Sequence, residues 1–131
     1  PQRSLLMRVV DTSAWIEWIA DGPAGQAARS EFPAMDELLV PTIVQLELAK
    51  WLAREAPDVV DEAIATTMDS LVVPLTTDIA LRAAELGREH RLPTAESIIY
   101  ATARAADCEL VTCDAHFEGL PDVIYIAKKA S

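Results

Sequence analysis

Four acidic residues stand where a short α/β chain concentrates its chemistry: Asp11, Glu47, Glu96 and Asp114. Asp11 ends the apolar, β-prone run Val9-Val10 and is followed at once by two hydroxyl residues, Thr12 and Ser13. Asp114 comes two residues after Leu110-Val111-Thr112. Each therefore sits just beyond the carboxyl end of an expected strand, the edge where open α/β sheets bind ligands. Glu47 and Glu96 come early in expected helices, one in the second turn after Thr42 and the other close behind Thr94. In a parallel layout a strand's carboxyl end and the next helix's start share one edge, so all four acids converge there.

Taken singly, each acid has a simpler role. Asp11 caps a helix, Asp114 closes an Asx-turn, Glu47 pairs one turn on with Lys50, and Glu96 complements a helix dipole. Taken together they need something more. Two bare carboxylates about 4 Å apart repel by about 4 kcal/mol at an effective dielectric of roughly 20, so such a cluster requires protons or cations. Hard divalent ions take oxygen ligands. One or two of them would polarise a phosphodiester, activate a water and stabilise the leaving oxygen.

The elements that must position these acids follow from hydrophobic periodicity. A strand over residues 6–10 leads into a helix over 13–20 carrying Trp15, Ile16, Trp18 and Ile19, and Asp21-Gly22-Pro23 breaks it. A helix over 24–32 precedes Leu38-Leu39-Val40, a buried strand ended by Pro41. Thr42-Ile43-Val44-Gln45 reads as a capping box opening a helix to about Arg54, and another helix spans 59–71. Residues 72–75 form a strand that Pro74 confines to a short or edge position. Helices over 76–90 and 95–106 precede a strand at 109–112, a loop at 113–121 and a last strand at 123–126. Strands alternating with helices pair in parallel through right-handed crossovers. The expected fold is an α/β, three-layer α/β/α sandwich around a short, mainly parallel sheet of four or five strands.

The chain of 131 residues suffices for one domain. Residues 1–6 precede Met7 and read as a vector-derived remnant, which leaves 7–131 as the domain. A net charge of −10 repels polyanions, so a nucleic-acid role requires bound cations, a local basic patch or a basic partner. Lys50, Arg54, Arg82, Arg88, Arg91 and Arg104 can supply that patch or simply coat solvated helix faces. Cys108 and Cys113 lie five apart across a strand and point to opposite faces, which disfavours a disulfide. With no zinc-type spacing either, they fit a reducing cytoplasm. No apolar run approaches the roughly 20 residues of a membrane span. Trp15, Trp18 and Trp51 suit either core packing or a partner interface.

Four segments together carry a family likeness: Val10-Asp11-Thr12-Ser13, Val44-Gln45-Leu46-Glu47, the run from Leu92-Pro93-Thr94-Ala95-Glu96 to Ala103, and Leu110-Val111-Thr112-Cys113-Asp114-Ala115-His116-Phe117. In order and spacing, over Met7 to about Ile126, the chain resembles the PIN domain family, specifically the VapC-like ribonuclease toxins of prokaryotic toxin–antitoxin pairs. The resemblance implies an endoribonuclease dependent on magnesium, or alternatively manganese, that hydrolyses RNA phosphodiesters with metal-activated water. It assigns Asp11, Glu47, Glu96 and Asp114 to the catalytic, metal-binding set, with Ser13 and Thr112 supporting them by hydrogen bonds. It further implies a homodimeric toxin held in check by a VapB-like antitoxin whose tail occupies the acidic groove. Operator DNA would be contacted only through that antitoxin.

Two residues depart from the family pattern. Glu96 stands where Asp is usual, and misplacement of a carboxylate by about an ångström can cost about a hundredfold in rate. His116 stands where a further Asp often follows, either touching a phosphate or resting in solvent. His90, at a helix end, reads as a dipole partner. Because of Glu96, the alternative is a catalytically weak PIN-fold binding module that acts with an antitoxin on operator DNA. A metal phosphatase for small phosphate esters would share the acids, but a clear Asp-x-Asp motif after the first strand is missing.

Overall fold

Near-continuous apolar runs build the sheet, as expected of parallel strands covered on both faces. In the computed structural model, which describes residues 7–128, these runs are β1 (Arg8–Val10), β2 (Leu38–Pro41), β3 (Leu71–Val73), β4 (Glu109–Thr112) and β5 (Val123–Tyr125). All four pairings are parallel, in the order β3-β2-β1-β4-β5. Six helices flank the sheet: α1 (Thr12–Ile19), α2 (Gly25–Ser30), α3 (Thr42–Glu55), α4 (Val60–Met68), α5 (Thr77–His90) and α6 (Thr94–Ala105). The three-layer α/β/α fold expected from the sequence is the one observed. The remnant expected at residues 1–6 lies outside the described residues.

Val9, Val10, Leu38, Val40, Leu110 and Val111 are sealed within the sheet. Against them pack the Val44, Leu48 and Leu52 stripe of α3 and the Ile99, Tyr100 and Ala103 face of α6. Each such side chain contributes about 1.5–3 kcal/mol by leaving water, and this fixes the strand register. Val9 pairs with Leu110 and Val10 with Val111. At the start of β1, Arg8 lies opposite Glu109 and bonds to it at 3.2 Å and to Glu31 at 2.8 Å.

From β1 the chain steps outward through β2 to β3, then returns across the sheet to β4 and steps the other way to β5. The direction reverses between β1 and β4. Their carboxyl ends therefore flank a topological switch point, the place where such sheets open a crevice.

Local sequence signals account for most boundaries. Thr76 caps α5 by accepting from the Ile79 amide at 3.2 Å. β3 is the short edge strand that Pro74 demands. The capping box at Thr42 does not form. Pro41 occupies the cap position, so Thr42 is already helical, and the Gln45 amide donates instead to Thr67 Oγ1 at 3.1 Å. Helix α4 also stops earlier than expected, because Ser70 Oγ donates to the Thr67 carbonyl at 2.6 Å, and Leu71 joins the sheet.

The break after α1 is organised by a buried acid, Glu17. It accepts from the Ala24 amide at 2.9 Å, and a Cβ at Gly22 would lie 2.4 Å from its Oε1. Glu17 thus serves the turn. Trp15 is buried edge-on against Phe32, with Trp18 on the same ring, so these two tryptophans pack α1 onto α2. Neither cysteine is in a disulfide, and burial, followed by the nearby Glu17 charge, pushes the Cys113 thiol up to about 11. Among the described residues no helix is long and apolar enough to cross a membrane.

Candidate functional site

Asp11 occupies the backbone cap position of α1, and its carbonyl accepts from the Ala14 amide at 3.0 Å. Its side chain does not cap. It turns instead to β4, because the Asp11 amide continues the ladder to the Val111 carbonyl at 2.9 Å and brings Thr112 alongside. Thr112 Oγ1 donates to Asp11 Oδ2 at 2.7 Å and Ser13 Oγ donates to the same oxygen at 2.8 Å. Both hydroxyls are held from the other side: Thr112 Oγ1 accepts from the Asp114 amide and Ser13 Oγ from the Cys113 amide, each at 2.9 Å. These hydrogen bonds of Ser13 and Thr112 form a network that orients Asp11 and ties β1 to the loop after β4.

Glu47 reaches the same place from the second turn of α3, where Thr12 Oγ1 donates to its Oε1 at 2.7 Å. Glu96 arrives from the first turn of α6. Asp114 caps the 3-10 turn Ala115–Phe117, its Oδ1 accepting from the His116 amide at 2.9 Å. It forms the Asx-type turn and joins the cluster as well. His116 Nδ1 lies 3.0 Å from Asp114 Oδ1 and 3.4 Å from Glu96 Oε2.

All four acids line one cavity of about 540 Å³ between α1, α3 and α6. Its other lining residues include the cations Lys50, Arg54 and Lys128 and the apolar Ile43, Leu46 and Trp51. Burial, reinforced by Asp114 and Glu47 and opposed by the two hydroxyl donors, pushes the Asp11 carboxyl up to about 6. Burial, then contact with Asp114, lifts Glu96 above the usual carboxylate range. Asp114 first, then Glu96, raises the imidazole of His116. Burial leads the shifts of the two carboxylates, the neighbouring acids add to them, and the same acids favour the charged form of the imidazole.

The donor set fits a hard divalent ion. It consists of carboxylates on two strand ends and two helix starts, and both hydroxyl donors on Asp11 fall on one oxygen, leaving the other for a ligand. A larger cavity of about 790 Å³, lined by Trp15, Trp18 and Trp51 among others, shares Trp51 with the acidic one but lacks this convergence.

Of the basic residues singled out in the sequence, Lys50 and Arg54 line the acidic cavity, although Arg54 Nε also pairs with Glu55 at 2.8 Å, whereas Arg82 pairs with Asp78 and Arg104 with Asp122. Three contributors carried weak signals. Thr12 was marked only by adjacency to Asp11. Lys128 follows the last strand without any periodic pattern, and His116 depends on a turn whose geometry its own spacing does not reveal.

With this fold and this acidic crevice established, comparison with known proteins is direct. The PIN domain profile matches residues 8–123, and the chain belongs to the PIN domain family. No curated protein sequence gives a significant match. Among solved structures, a toxin–antitoxin complex from Klebsiella pneumoniae is similar with a TM-score of 0.77 at 22% identity, over 89% of this chain and 95% of that one. The Mycobacterium tuberculosis toxin VapC20, which cleaves the sarcin–ricin loop, gives 0.72 at 20% identity, over 88% and 96%. VapBC2 from Rickettsia felis, bound to a promoter DNA fragment, gives 0.67 at 14% identity, over 94% and 99%. At these identities the likeness is one of fold.

Proposed function

We propose that residues 7–131 form a single-domain, metal-dependent endoribonuclease, the toxin of a VapBC-type pair. The observation that carries this reading is the convergence of Asp11, Glu47, Glu96 and Asp114 on one cavity at the switch point of a PIN-fold sheet. These four carboxylates would hold magnesium or manganese. A divalent ion there supplies charge stabilisation to a phosphodiester and lowers the pKa of the attacking water.

The chain's own residues do the rest. Ser13 and Thr112 hold Asp11 in one orientation, and Thr12 does the same for Glu47. Lys50, Arg54 and Lys128 draw the phosphate backbone toward a protein whose net charge of −10 otherwise repels it. The relatives that are toxin–antitoxin assemblies, one of them on promoter DNA, support a VapB-like antitoxin as partner and operator contact made through it. In this reading the toxin is a homodimer acting on RNA in the cytoplasm.

The test is RNA cleavage by protein purified free of antitoxin, with magnesium, with manganese and with chelator. Cleavage that needs the metal supports the reading. Metal-independent cleavage, or hydrolysis of a small nucleotide ester in preference to RNA, contradicts it.

A further inference from the structure

Beside Glu96 and Asp114, at the edge of the four-acid cluster, stands an imidazole. Resting on the nuclease reading above, we propose that His116 is a direct ligand to a cation shared with Glu96 and Asp114, making that half of the site a nitrogen–oxygen centre that prefers transition-metal ions to magnesium. One ligand atom from each of the three residues lies within 4.8 Å of the other two. His116 Nδ1 stands 3.0 Å from Asp114 Oδ1 and 3.4 Å from Glu96 Oε2. Adjacent ligands on an octahedral ion with bonds of about 2.1 Å are about 3 Å apart, so these separations suit neighbouring positions on one ion.

The backbone that carries the imidazole is held in place, although the ring itself is more than half exposed. The His116 amide is tied to Asp114 Oδ1 at 2.9 Å, and the next residue, Phe117, is fully buried. The turn that presents the ring is therefore anchored on both sides.

The consequence lies in metal choice. Carboxylates and water suit magnesium, whereas imidazole suits later first-row ions, whose affinity for nitrogen rises along the series from manganese. Magnesium keeps its waters and gains little from a nitrogen ligand. Glu47 and Asp11, which line the same cavity, offer oxygen alone. The alternative role for His116 is a plain ion pair that neutralises Asp114 and never touches a metal.

The chain has two histidines, and the other one makes the test clean. His90 packs edge-on against Tyr100 at the end of α5 and does not line the acidic cavity. Pulsed electron paramagnetic resonance of the manganese-loaded full chain reads nitrogen-14 coupling from a coordinated imidazole. The expected result is such coupling in the wild type and its loss in His116→Asp, which still binds manganese through oxygen. In calorimetric competition, the manganese-over-magnesium preference of His116→Asp should fall about tenfold, the scale on which ligand-environment changes act. Manganese bound to the wild type without nitrogen coupling, or coupling that persists in His116→Asp, overturns the proposal. If manganese does not bind the wild type at all, the metal-site reading itself falls together with the role of His116.

Discussion

At one end of β1, Arg8 lies between two acids, bonded to Glu31 at 2.8 Å and Glu109 at 3.2 Å. At the other end, Asp11 shares its cavity with three more acids, Glu47, Glu96 and Asp114. The first edge of the sheet is closed by ion pairs that join one cation to two acids. The second concentrates acids at nearly inaccessible depth: Asp11 is 3% exposed, and burial first, with Asp114 and Glu47 adding to it, raises its carboxyl. One edge pairs its acids directly with a cation; the other buries Asp11 on hydroxyl donors with acids around it, and that contrast separates the two ends of a three-residue strand.

The largest expected effect breaks the acidic edge. Asp11→Asn keeps the acceptor for Ser13 and Thr112 but removes the charge, and should lower RNA cleavage on the order of a thousandfold while the circular dichroism spectrum stays native. Next comes pH. In ion-free protein the Asp11 carboxyl is raised from its ordinary 3.8 to about 6, so the folded state holds its proton more tightly than the unfolded chain. That contribution is fully present below the lower value and is lost as pH rises through the higher one, on the order of 3 kcal/mol in all. Urea unfolding without metal should therefore show wild type losing stability relative to Asp11→Asn as pH climbs through that window. Saturating manganese should reverse the difference at neutral pH. A difference that does not change with pH contradicts the electrostatic contrast.

Breaking the ion-paired edge should do less, and something different. Arg8→Ala removes two partly exposed ion pairs and a bond to the Glu31 carbonyl, and should cost about 1–2 kcal/mol in denaturant unfolding with cleavage per folded molecule unchanged. The smallest effect sharpens the acidic edge. Glu96→Asp restores the usual shorter acid, and cleavage should change by no more than about tenfold, less than the roughly hundredfold that an ångström of misplacement can cost. A gain far beyond that would mean the longer acid keeps this chain a weak nuclease that acts chiefly by binding.

The parallel fold and the four acids were readable because both rest on repeating signals: apolar runs ending in Asp11 and Asp114, and helix starts carrying Glu47 and Glu96. β4 has the bounds its sequence implied, and Pro74 marked β3 as an edge strand. Thr42 misled because a capping box requires its hydroxyl residue one position outside the helix, and Pro41 already holds that position with extended backbone. The contacts of His116 and Lys128 stayed hidden for a different reason. Both lie on segments without periodicity, where a side chain's partners depend on how a turn or a chain end closes onto the sheet.

The most direct measurement is anomalous diffraction from crystals of the protein soaked in manganese. The expected result is a peak inside the acidic cavity, within bonding distance of Asp114 and at least one other carboxylate that lines it. Manganese found only at other surface acids, with the cavity empty at saturating metal, would contradict the assignment of this edge as the catalytic centre.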